Sequence, residues 1–89
     1  MHIVIHPHAR KHGLSDEQII AAYETGSWAR RVRWRDVEAD PPRWATIGFD
    51  AQARQIELVV VAGMGDENII IHANYLTKGF LNEIERSGR

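Results

Sequence analysis

The densest apolar run in the chain is Leu58-Val59-Val60-Val61, inside a stretch from residue 54 to residue 62. Apolar side chains at consecutive positions are what a strand covered on both faces requires, so this pattern predicts the central strand of a sheet. Period-two patterns surround it. Residues 1–6 read as a strand with Ile3 and Ile5 on one face and His2, Val4 and His6 on the other. Residues 28–35 place Trp28, Arg30, Val32 and Trp34 on one face and Ala29, Arg31, Arg33 and Arg35 on the other. Residues 44–49 and 68–73 complete the strands, with turns at Asp50-Ala51-Gln52-Ala53 and Gly63-Met64-Gly65-Asp66 and an acidic loop over 36–42 that ends in Pro41-Pro42.

Helical signals fill the remainder. Pro7 suits the first turn of a short helix and Gly13 its end, because one has its φ preset and the other takes a left-handed conformation at little cost. Ser15-Asp16-Glu17-Gln18 is a capping box opening a second helix to about residue 24, with Ile19, Ile20 and Tyr23 as its apolar stripe and Gly26 as its stop. Thr77 caps a terminal helix whose buried stripe is Phe80, Leu81 and Ile84, and Leu76 packed on Leu81 would staple its start. The predicted order is β-α-α-β-β-β-β-α: an α+β fold with an antiparallel sheet and its helices packed on one face. Its 89 residues suit one small domain, 1–89, with room for a single core.

The lack of cysteine removes disulfides and thiolate chemistry, and the apolar run Ile3-Val4-Ile5 stops at His6-Pro7, far short of a signal or membrane span. The chain reads as cytoplasmic, with no membrane partner. Net charge is −1, but the charge is uneven: residues 1–35 hold six Arg or Lys against three acids, and residues 36–89 hold five against nine. Any electrostatic footprint for an anionic partner lies in the first half. There, His6-Pro7-His8-Ala9-Arg10-Lys11-His12 concentrates imidazoles and fixed cations within one short segment.

Arg10-Lys11-His12-Gly13-Leu14-Ser15, the helix after it, Ile47-Gly48-Phe49 entering a strand, the strand over 54–61 and Ile71-His72-Ala73 before the last helix together resemble the BrnT-like toxins of type II toxin–antitoxin systems, small relatives of the RelE-type ribonuclease toxins. The resemblance covers nearly the whole chain. It implies a metal-independent endoribonuclease, without cofactor, that inhibits translation until a cognate antitoxin protein binds it. It leaves room for a homodimer. Lys11 and His12 match the family's basic–histidine pair, and Arg43 stands where the family places a cation before its second hairpin strand. Where the family often has Arg or Lys after the last strand, this chain has Asn74-Tyr75, which removes a candidate transition-state cation.

The residues support that chemistry independently. Cleaving RNA through its own 2′-hydroxyl needs a base, cations for the charge on phosphorus, and an acid for the leaving oxygen. His12, with Lys11 and Arg10 close in sequence, supplies the base and the charge, and the resemblance adds Arg43 as a further cation. Arg10, Arg31, Arg33 and Arg35 could guide a phosphate backbone, and Trp34 or Trp44 could stack on bases. Blander readings stand beside these. A histidine can be structural, an arginine stripe can be a solvated or salt-bridged face, tryptophans can be core, and Glu57 can pair with Arg54 or a strand neighbour. Two other functions stay open: a non-catalytic interaction module of the same fold, and a metal site built on His8 and His12 with His6 or His2.

Overall fold

The computed structural model describes residues 2–26 and 40–87. Along the chain run β1 (His2–Ile5), a single 3-10 turn (Pro7–Arg10), α1 (Asp16–Gly26), β2 (Arg43–Phe49), β3 (Gln55–Ala62), β4 (Glu67–Tyr75) and α2 (Lys78–Ser87). The α+β class holds. The predicted strand over 28–35, carrying Arg31, Arg33, Arg35 and Trp34, lies outside the described residues.

Local chemistry sets the element ends as the sequence indicates. Ser15 Oγ accepts from the Gln18 amide at 3.1 Å and Gln18 Oε1 accepts from the Ser15 amide at 3.0 Å, the reciprocal bonds of a capping box. Thr77 Oγ1 accepts from the Phe80 amide at 3.3 Å and caps α2. Gly13 has φ +82° and reverses the chain between the 3-10 turn and α1. The first helical segment is shorter than α-helical spacing would need. It closes at Lys11, whose amide donates to the His8 carbonyl, so His8 and His12 are not on adjacent turns of one α-helix.

Two parts of the predicted architecture are corrected. The sheet is mixed rather than antiparallel. Its order is β1-β4-β3-β2, with β2, β3 and β4 antiparallel and β1 parallel to β4 through Ile3↔Asn68 and Ile5↔Ile70. The hairpins consume both edges of β3 and one edge of β4, and β1 takes the edge of β4 that remains; the long crossover that a parallel pair needs is supplied by everything in between. The helices also lie on opposite faces. Ile56, Leu58 and Val60 of β3 pack with Ile19, Ala22 and Tyr23 of α1, and Val59 packs with Phe80 and Ile84 of α2. A strand apolar on both sides demands cover on both, which the run Leu58-Val59-Val60-Val61 already implied.

Within α1 the buried stripe is Ile19, Ala22, Tyr23 and Gly26, whereas Ile20 points outward at 38% exposure. The stripe is set by how close α1 comes to β2. A Cβ on Gly48 would overlap the Ala22 carbonyl, so only glycine lets helix and strand meet there. Among the described residues no helix is long and apolar enough to cross a membrane.

Candidate functional site

The functional candidates gather on the α2 face, and a β-bulge puts them there. Val59 pairs with His72 while Val60 pairs with Ile70, so Ile71 is an extra residue in β4. The insertion lets Ile71 join the core under α2 while His72 stands opposite Val59 on that face. Glu57, two residues before Val59 on β3, shares the face and lies diagonally across from His72.

Glu57 is 3% exposed and fully engaged. Its Oε1 accepts from the Thr77 amide and from Thr77 Oγ1, both at 2.7 Å, and its Oε2 lies 2.7 Å from His72 Nε2. Burial pushes the carboxyl up, but the hydrogen bonds from His72 and Thr77 outweigh it, and the group sits below its ordinary value of 4.5. This one side chain ties β3 to β4 and to the start of α2. The pairing with Arg54 weighed from the sequence is not formed: Arg54 Nε instead bonds Asp50 at 2.7 Å, across the β2–β3 turn.

The His72 ring is bounded on several sides. Phe80 stacks on it with centroids 6.3 Å apart and planes at 19°, and His12 meets it edge-on at 5.6 Å and 77°. Its side chain remains 30% exposed. Beside it opens a cleft of about 450 Å³ lined by His8, Arg43, Glu57, Val59, Ile71, His72 and Phe80, among others, a volume within the roughly 300–1,000 Å³ of small-molecule sites.

The 3-10 turn delivers two histidines to this region. After the His6 amide bonds the Ile70 carbonyl at 2.9 Å, the turn lies along β4 and buries Ala9 completely on the α1 side. His8 then lines the cleft, and the following turn brings His12 against His72. His6 Nδ1 accepts from the His8 amide at 3.0 Å and caps the turn.

The sequence-derived site residues divide accordingly. His12 and Arg43 come to one side of the fold: Arg43 is an exposed residue in the cleft wall, and His12 adjoins that wall through His72. Lys11 is exposed next to His12, and its side chain makes no hydrogen bond or ion pair among the described residues. Arg10 is committed to Asp16 through two bonds, 2.8 Å from Nε and 3.1 Å from Nη2, an exposed pair that salt screens. The hydrogen bond from Arg10 lowers the Asp16 carboxyl below its ordinary range. Asn74 Oδ1 accepts from the Tyr75 amide at 2.8 Å within β4, which runs two residues beyond the strand end at Ala73 read from the sequence. Trp44 is half-buried. Among the described residues no three His, Asp or Glu side chains stand close enough to hold a metal ion together.

His72, Glu57, Thr77 and His8 were not among the catalytic or RNA-binding residues read from the sequence. One signal was available for two of them. A glutamate within the apolar strand 55–62 and a histidine closing the run Ile69-Ile70-Ile71 are polar groups in buried strands, and such groups need partners. That they partner each other depends on the register and the bulge, which no local pattern encodes.

Comparison with family models, with curated proteins and with solved structures finds no match to this chain.

Proposed function

We propose that the α2-face cleft is the RNA-cleaving centre of a ribonuclease toxin of the type II toxin–antitoxin kind, with the RelE/BrnT-like fold that the sequence motifs resemble. The observation that carries the reading is that His72, which lines one cleft together with Arg43, is met edge-on by His12 from a segment far away in the chain. In this reading His12 takes the proton from the RNA 2′-hydroxyl. Lys11 and Arg43 carry the charge that builds on the phosphorus oxygens. Arg10, Arg31, Arg33 and Arg35, with Trp34, form the track for the rest of the strand, and Arg10 exchanges Asp16 for phosphate when RNA binds. The products are a 2′,3′-cyclic phosphate and a 5′-hydroxyl, the cell suffers loss of translation, and a cognate antitoxin covers the same basic surface. The protein acts in the cytoplasm, where RNA and such a partner meet.

Inducing the chain in a bacterial host tests this. Growth arrest with RNA fragmentation is expected, relieved by His12→Ala or Arg43→Ala through a loss of ~10²-fold or more in cleavage rate, the scale for a positioned base or charge. Folded variants as toxic as the parent chain would remove these residues from the mechanism.

One observation favours a second reading, a non-catalytic interaction module. Glu57 is satisfied entirely by Thr77 and His72, which is how a buried polar cluster behaves when its role is to fix β3, β4 and α2 in register. Absence of both toxicity and RNA cleavage, with retained binding to a partner encoded beside it, would select that reading.

A further inference from the structure

Of the three parts that RNA transesterification requires, the proposed function supplies a base and cations but no acid for the leaving oxygen. Resting on that reading, we infer that His72 is the general acid, with Glu57 as its positioning residue.

The geometry separates the two imidazoles by role. His72 Nε2 is spent on the buried Glu57 carboxylate at 2.7 Å, so Nδ1 is the ring nitrogen left to face substrate. The Thr77 amide and hydroxyl hold the other oxygen of Glu57, which fixes the carboxylate, and Phe80 lies against the ring face. A carboxylate fixed on one ring nitrogen supplies the countercharge for an imidazolium that donates from the other. His12 is in the opposite situation: it is exposed, it follows Lys11, and it has no carboxylate partner among the described residues. An exposed imidazole with no carboxylate on either ring nitrogen can accept a proton from substrate at one of them.

The rings meet at 5.6 Å, so one phosphodiester laid across both can offer its 2′-hydroxyl to one and its leaving oxygen to the other, each within the ~2.6–3.2 Å reach of a proton transfer. In the step, His12 removes the 2′-hydroxyl proton as that oxygen bonds to phosphorus. The bond from phosphorus to the 5′ oxygen breaks, and that oxygen takes the proton from His72 Nδ1. No electrons are exchanged with a third party, and the two histidines finish with their protons exchanged, to be reset from solvent. The attack requires a 2′-hydroxyl, so the substrate class is RNA rather than DNA, and the in-line alignment of the 2′ oxygen with the leaving 5′ oxygen, which a regular A-form helix does not allow, favours an unpaired linkage.

The test uses a leaving group that needs no acid. A mixed-sequence single-stranded RNA oligonucleotide is compared with the same oligonucleotide carrying a bridging 5′ sulfur at the linkage the wild-type protein cuts, since a thiolate departs unprotonated. His72→Gln is the principal variant, because its amide can still donate a hydrogen bond to Glu57 and preserve the fold but is far too weak an acid to protonate the leaving oxygen; His72→Ala and Glu57→Gln accompany it, each checked to be folded by its circular dichroism spectrum and a cooperative urea transition. The expected result is a loss of ~10²-fold or more on ordinary RNA for His72→Gln, with the sulfur-containing RNA cut at close to the wild-type rate. Glu57→Gln should show the same selectivity in weaker form, whereas His12→Ala should lose both substrates. Equal loss on the two RNAs by His72→Gln, or no loss on either, overturns the assignment while leaving the ribonuclease reading in place. A wild-type protein that cuts neither RNA overturns the reading itself, and this inference with it.

Discussion

Glu57 shows how much one side chain can determine. It is buried on the central strand with three hydrogen bonds, two of them to the residue that starts α2. Glu57→Ala strands the Thr77 amide and the His72 ring together, and a loss of about 3 kcal/mol is expected. Glu57→Gln keeps the shape, an acceptor for Thr77 and a donor toward His72, and should cost only about 1 kcal/mol. Urea midpoints at unchanged slope measure both. The pH dependence has a definite sign. Since the folded carboxyl sits below its ordinary 4.5, its contribution is complete above that value and is lost as pH falls through the lower folded value. The stability difference between wild type and Glu57→Gln should therefore shrink on acidification below 4.5 and then level off. A difference that grows on acidification would contradict the depressed value.

Between elements, the contact that fixes α1 on the sheet is the approach of Ala22 to Gly48. Gly48→Ala drives a methyl into backbone that cannot yield without moving the helix, and a loss of about 3 kcal/mol is expected in thermal or urea unfolding. Gly79, in the first turn of α2, has open space around its Cβ direction, so Gly79→Ala should instead gain about 0.5–1 kcal/mol from helix propensity. Similar melting temperatures for the two variants would mean that α1 is not packed as described. What could be read at this scale was whatever has a local cause. Ser15 with Gln18, Thr77, Pro7 and Gly13 act through neighbours in the chain, and each does what its residue type indicates. Ile20 was misplaced because two adjacent isoleucines cannot both face the sheet, and the clearance at Gly48, invisible in α1's own pattern, decides which one does.

For the whole molecule, both faces of β3 carry core, with α1 over one and α2 over the other. Amides of Leu58, Val59 and Val60 should be the last to exchange with solvent, well after those of Ala51 and Gln52 in the β2–β3 turn, and equal rates would refute a central β3. The position of β3 followed from its apolar run. The direction of β1 did not, because Ile3 and Ile5 fit the α1 face equally well in a parallel or an antiparallel strand; the free edge of β4 fixes only its place, and in the fold it runs parallel. The site divides in the same manner. His12 stood out as a chemistry-bearing residue in the linear sequence and Arg43 only through the resemblance, while the Glu57–His72 pair, with His72 standing between His12 and the cleft that Arg43 lines, exists only because a bulge at Ile71 sets the register of β4.

The reaction proposed for this cleft is cleavage of RNA through the substrate's own 2′-hydroxyl. The most direct measurement is to incubate the purified, folded protein with mixed-sequence single-stranded RNA in the presence of EDTA and to identify the new ends. Fragments ending in 2′,3′-cyclic phosphate and 5′-hydroxyl, abolished by His12→Ala and by a 2′-deoxy residue at the cut position, are the predicted result. Intact RNA, or cleavage that persists in folded His12→Ala, would contradict it.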